Sequence, residues 1–108
     1  MKARGSTRRI VPLVIALAAL AAAPVQASAK TVAISGFAFK PGNLTVAKGA
    51  KVTFVNDDAV AHTATDKGVF DSGRIKAGRS FTVRFRQKGT FAYHCKLHPY
   101  MRGKVNVN

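Results

Sequence analysis

From residue 31 onward, hydrophobic and polar positions alternate with a period of two, the pattern of strands that bury one face. Val32 and Ile34 fall on one side, with Thr31, Ala33 and Ser35 on the other. Gly36 breaks the phase and Phe37 and Phe39 take over the inward side, which predicts a first strand carrying a bulge. Pro41-Gly42-Asn43 predicts a turn, and Leu44 to Ala47 a short second strand closed by Lys48-Gly49. Lys51 to Val55 reads as a third strand with Val52 and Phe54 inward. Asn56-Asp57-Asp58 ends it, because short polar side chains compete for backbone hydrogen bonds. Asp66 to Gly73 reads as a loop with Phe70 tucked beneath it, and Ala77-Gly78 as a turn. Alternation resumes at Ser80 to Arg86, with Phe81, Val83 and Phe85 inward, before Lys88-Gly89 turns the chain again. Thr90 to Cys95 sets Phe91, Tyr93 and Cys95 on one face and His94 on the other, and Arg102 to Asn108 points Val105 and Val107 inward. Short strands punctuated this regularly predict an all-β, antiparallel sandwich of about eight strands.

The first residues are composed differently. Lys2, Arg4, Arg8 and Arg9 precede an apolar run from Val11 to Ala23, and Ala27-Ser28-Ala29 supplies the small residues of a cleavage site. This predicts a signal peptide over 1–29, a mature domain over 30–108, and export, to a periplasm or its equivalent. The apolar run is shorter than the ~20 residues of a membrane span, so no stable insertion is expected once the leader is removed.

Charge narrows the partners. The formal charge of +14 falls to +10 without residues 1–29, which hold four cations and no acids. Such a surface favours acidic partners or anionic membrane faces. Nucleic acid is excluded by export and by cations that are spread singly along strands instead of run together.

The chemistry is concentrated in Tyr93-His94-Cys95-Lys96-Leu97-His98-Pro99-Tyr100-Met101. A single cysteine cannot close an internal disulfide. Cys95, His98 and Met101 follow one another at intervals of three, which suits one ion wrapped by one loop, and His62 is available as a fourth ligand. One thiolate, two imidazoles and a weak thioether are the ligand set of a type 1 copper site, whereas zinc rarely takes a thioether. After His62 and His98 only His94 remains, too few imidazoles for a second, catalytic copper. The residues therefore predict one copper per chain and no enzyme, with a copper chaperone or store as the alternative to an electron carrier.

Two blocks carry a family resemblance. Thr90-Phe91-Ala92-Tyr93-His94-Cys95 with His98-Pro99-Tyr100-Met101-Arg102-Gly103-Lys104-Val105 is similar to the ligand loop and last strand of the cupredoxins, and most similar to their amicyanin and plastocyanin-like branch. Asn56-Asp57 through His62, followed by Phe70-Asp71-Ser72-Gly73, resembles that family's first-histidine loop. The resemblance implies a Greek-key β-sandwich and copper held by His62, Cys95, His98 and Met101. It also implies single-electron exchange with redox proteins, a c-type cytochrome or a dehydrogenase among the candidates, through an apolar rim at Pro99 and Tyr100. Two positions depart from the family pattern: Thr63 stands where an asparagine ties the ligand loops together, and Leu97 where proline is frequent. Leu97 restores a backbone N–H, expected to donate to the Cys95 sulfur.

Overall fold

Val32 and Ile34, Val52 and Phe54, Tyr93, and Val105 and Val107 all turn inward and meet in one core between two sheets. The computed structural model describes residues 28–108, so all of the expected leader except Ser28 and Ala29 lies outside the described residues. Nine strands are present: β1 (Ala29–Ile34), β2 (Phe39–Lys40), β3 (Asn43–Val46), β4 (Lys51–Asn56), β5 (Thr65–Asp66), β6 (Phe70–Asp71), β7 (Ser80–Arg84), β8 (Gly89–His94) and β9 (Arg102–Val107). One sheet is ordered β2-β1-β4-β7 and the other β3-β9-β8-β5-β6, which gives the expected sandwich.

Three details differ from the sequence reading. The sheets are mixed, since β1 runs parallel to β4 and β3 parallel to β9. Alternation marks which face is buried and carries no information on the direction of the neighbouring strand. The segment read as a loop over 66–73 contains the β5–β6 hairpin, with Phe70 packed against Phe54, Phe81, Phe85 and Tyr93 as expected. The expected bulge is a reversal. Ser35 and Ala38 exchange two backbone hydrogen bonds of 3.0 and 3.2 Å, and β2 folds back antiparallel on β1 with Ile34 opposite Phe39. Gly36 and Phe37 have φ of 61° and 58°, the two left-handed residues of a type I′ turn. Phe39 is buried as predicted, but Phe37 is carried out of the core and is 40% exposed at the end of the sandwich.

That end is where the chemistry gathers. β4 and β8 finish there and β9 begins there, so the loops over 57–64 and 95–101 lie side by side. Buried Asn56 organises the first loop: its Nδ2 donates to the carbonyls of Val60 and Ile75, both at 2.8 Å, and its Oδ1 accepts from Asp58 N–H at 2.9 Å. The second loop is supported from below by Tyr93, whose ring stands directly over Gly103 in the β8–β9 register. A Cβ at Gly103 would overlap that ring, which is why glycine is required there.

Candidate metal centre

His62 is fixed by its backbone first. Its N–H donates to Ile75 O at 3.2 Å and its carbonyl accepts from Ile75 N–H at 2.7 Å. Its fully buried ring donates Nε2–H to Asp58 Oδ2 at 2.8 Å. A carboxylate at that distance holds the neutral ring in the tautomer whose Nδ1 lone pair is free. Asp58 also accepts from the backbone N–H groups of Gly36 (2.8 Å) and Phe37 (2.9 Å). The Phe37 N–H is the chief reason its carboxyl lies below the ordinary range, with the Gly36 N–H and His62 adding to the effect against partial desolvation.

Two consecutive tight turns explain the spacing of the second loop. His98 N–H donates to Cys95 O at 3.3 Å and Met101 N–H to His98 O at 2.9 Å, while Cys95 N–H donates to Met101 O at 3.1 Å. Each turn advances three residues and brings the next candidate ligand back to the same end. Cys95 is fully buried, Met101 is buried within the same loop, and His98 is half-buried.

The donor atoms converge. His62 Nδ1 lies 3.2 Å from His98 Nδ1, and Cys95 Sγ lies 3.8 Å and 3.6 Å from those two nitrogens. Among the described residues this is the one cluster of three such side chains, its atoms all within 4.8 Å of one another. Two imidazole nitrogens and a cysteine sulfur that face one point are the donors a soft or borderline metal ion takes, so this set fits such an ion. His94 stays on the opposite face of β8, half-buried beside an open cleft of about 520 Å³ lined also by Lys67, Val69 and Phe70. It takes no part in the cluster.

The N–H that reaches the sulfur is not that of Leu97. Among the described residues it is Thr63 N–H, at 3.3 Å from Cys95 Sγ. Thr63 also joins the two loops. Its Oγ1 accepts from Lys96 N–H at 2.8 Å and donates to Thr65 Oγ1 at 3.0 Å, and Thr65 in turn donates to Asp71 Oδ1 at 3.1 Å. Asp71 completes the ring with an ion pair to Lys96 Nζ at 2.6 Å. Lys96 and then the Gly73 N–H hold the Asp71 carboxyl at about 2, against an ordinary 3.8.

Phe37 and Asp58 are the residues the sequence reading missed. The Phe37 ring meets His62 and His98 edge-on, with centroids 5.0 and 4.9 Å apart. Their only signals in the sequence were an aromatic directly after Gly36, which its period placed inward, and an acid four residues before the histidine. Half-buried His98 is bordered by the exposed rings of Phe37 and Tyr100, and Leu97 and Pro99 are exposed in the same loop.

A two-sheet β-sandwich with a cysteine sulfur and two imidazole nitrogens gathered at one end defines a cupredoxin-type metal protein. The chain belongs to the family of copper-binding proteins of the plastocyanin/azurin type, whose pattern matches residues 26–108, and its cofactor is copper. It is 32% identical over 93 residues to the amicyanin of Paracoccus denitrificans, an alignment that covers 81% of this chain and 71% of that protein. Plastocyanin of Solanum crispum is 32% identical over 93 residues, covering 68% and 90%. Among solved structures, the copper(I) form of an amicyanin mutant superposes with a TM-score of 0.70 at 32% identity, covering 78% of this chain and 86% of that one.

Proposed function

We propose that this chain is an exported type 1 blue copper protein that carries single electrons between redox proteins. The observation that carries the reading is the convergence of His62 Nδ1, Cys95 Sγ and His98 Nδ1 within 4.8 Å. These three atoms would hold copper, with the thioether of buried Met101 as a further, weak ligand. Bound there, copper supplies the one-electron couple. The protein contributes rigidity: Asp58 fixes the His62 ring, Thr63 N–H stabilises the thiolate, and the Thr63–Lys96 bond keeps the loops in register.

His98 is the route out, because it is the candidate ligand that is not fully buried and its ring is bordered by Phe37 and Tyr100. A small apolar contact of this kind suits partners that must part after each transfer. The net positive charge would speed encounter with acidic partners, and the apolar contact around His98 would select the productive orientation. The family relationship and the basic N-terminal run followed by Val11 to Ala23 support export, with a mature start at Lys30 that mass spectrometry of the secreted chain would verify.

The visible spectrum of the copper(II)-loaded protein tests the reading. An intense thiolate-to-copper band in the red, abolished by Cys95→Ala, is expected. A colourless protein with an ordinary tetragonal spin-resonance signal would overturn the electron carrier in favour of a copper chaperone or store.

A further inference from the structure

Three of the four acidic side chains, Asp57, Asp58 and Asp71, lie at the metal end of the sandwich, and Asp66 lies farther along the β5–β6 hairpin. Asp57 and Asp58 follow β4, while Asp66 and Asp71 lie on the β5–β6 hairpin, which pairs with the end of β8 through Thr65 and His94. The opposite end has the reverse character. Lys51 and Arg84 stand directly across from each other on β4 and β7, and Lys30, Lys48, Arg86 and Lys88 lie on the adjoining strand start and turns. All six are exposed, and no acidic side chain is among them. From Lys51 to Asn56 at ~3.3 Å per residue, β4 alone separates the two ends by about 17 Å.

Folding gains nothing from this arrangement. Like charges directly opposite on neighbouring strands repel, and the one compensation is a hydrogen bond from Arg84 Nη1 to Gly49 O at 2.9 Å. An acid at either position would relieve the strain.

The chain also enters the described fold at this pole. Ser28 O accepts from Lys51 N–H at 3.1 Å, and Ala29 is opposite Lys51 in the β1–β4 register. Residues 24–27 are all that separate Ser28 from the apolar run ending at Ala23, a reach under ~20 Å. Until the leader is cut before Lys30, that run in a bilayer would hold the basic pole within this reach of the membrane.

We infer that the pole opposite the metal centre, built on Lys51 and Arg84, is a peripheral docking surface for the anionic headgroups of a lipid bilayer. Docked there, the protein keeps His98 and its apolar rim turned toward the aqueous side, free to meet redox partners. A cation held close to an anionic surface strengthens partitioning roughly fivefold. The attraction decays within a Debye length of ~10 Å at 0.1 M salt, too short to reach the mixed charges of the metal end. The inference does not depend on the copper reading, and its failure would leave that reading standing.

Co-sedimentation of the copper-loaded protein, purified as cells process it, with phosphatidylcholine vesicles that contain or lack phosphatidylglycerol is the test. Binding is expected only with phosphatidylglycerol, and it is lost at high salt. Lys51→Gln with Arg84→Gln should weaken it about 25-fold, and Arg86→Gln with Lys88→Gln by a similar factor. Arg74→Gln with Lys76→Gln, flanking Ile75 where it pairs with His62 at the metal end, should bind as the parent does. An unchanged circular-dichroism spectrum and thermal midpoint establish that each variant is folded. Equal binding to both kinds of vesicle, or equal loss in the Arg74/Lys76 pair, would overturn the inference. So would indifference to phosphatidylglycerol combined with capture of an acidic redox protein through the same six cations.

Discussion

Thr63 Oγ1 accepts the backbone N–H of Lys96 at 2.8 Å, so a threonine performs the loop-joining role that the family pattern gives to an asparagine. The shorter side chain suffices because Thr63 is itself buried and is held by Thr65 from the other side. Thr63→Val keeps the shape and removes the acceptor, which leaves Lys96 N–H unpaired beside the sulfur. A loss of about 1–3 kcal/mol in stability is expected, with faster copper release. Thr63→Ser should restore most of both. Chemical denaturation and chelator-driven release of copper measure the two effects.

Phe37 combines a strained backbone with a useful ring. At φ 58° a non-glycine residue costs roughly 1–2 kcal/mol, while its ring covers both candidate imidazoles. Phe37→Gly should therefore be more stable than Phe37→Ala by about 1 kcal/mol in thermal unfolding. Both should expose the site equally, seen as faster reduction of copper(II) by a small hydrophilic reductant. Equal melting of the two variants would remove the backbone term from the account.

Tyr93 and Gly103 form a lock at the base of the ligand loop. The Tyr93 hydroxyl is buried without a hydrogen-bond partner among the described residues, and burial pushes its pKa well above the ordinary tyrosine value, so it stays neutral. Tyr93→Phe should raise stability by about 1 kcal/mol or leave it unchanged, since no hydrogen bond is lost. Gly103→Ala should cost at least ~2 kcal/mol by forcing the ring away from β9. Combining it with Tyr93→Leu should recover part of that loss, an interaction that a double-mutant cycle would register.

Asp71 gives the stability a defined acid dependence. Its folded value of about 2 lies below the ordinary 3.8, so its contribution is complete above pH 3.8 and is lost as pH falls toward 2. Asp71→Asn should be less stable than the parent near neutrality, and the gap should close between pH 4 and pH 2. Lys96 is half exposed in this pair, so salt should narrow the gap as well. Urea midpoints across that pH range provide the measurement.

What the sequence determined by itself is what depends on local period and residue type. Alternation placed Val32, Ile34, Val52, Phe54, Tyr93, Val105 and Val107 in the core, because a strand turns every second side chain to the same face. The three-residue intervals from Cys95 to Met101 carried the ligand loop, because two tight turns need no partner from elsewhere in the chain. Tertiary structure decided everything that joins distant segments. The parallel pairings of β1 with β4 and β3 with β9 could not be read, since both directions share one alternation pattern. Phe37 looked inward by period, and only the reversal at Ser35–Ala38 carries it to the imidazoles. The sulfur's hydrogen bond came from Thr63, 32 residues away, and not from nearby Leu97, because the close approach of the two loops is a property of the packed sandwich. The charge separation between the Lys51–Arg84 pole and the metal end likewise exists only once strands far apart in sequence are laid side by side.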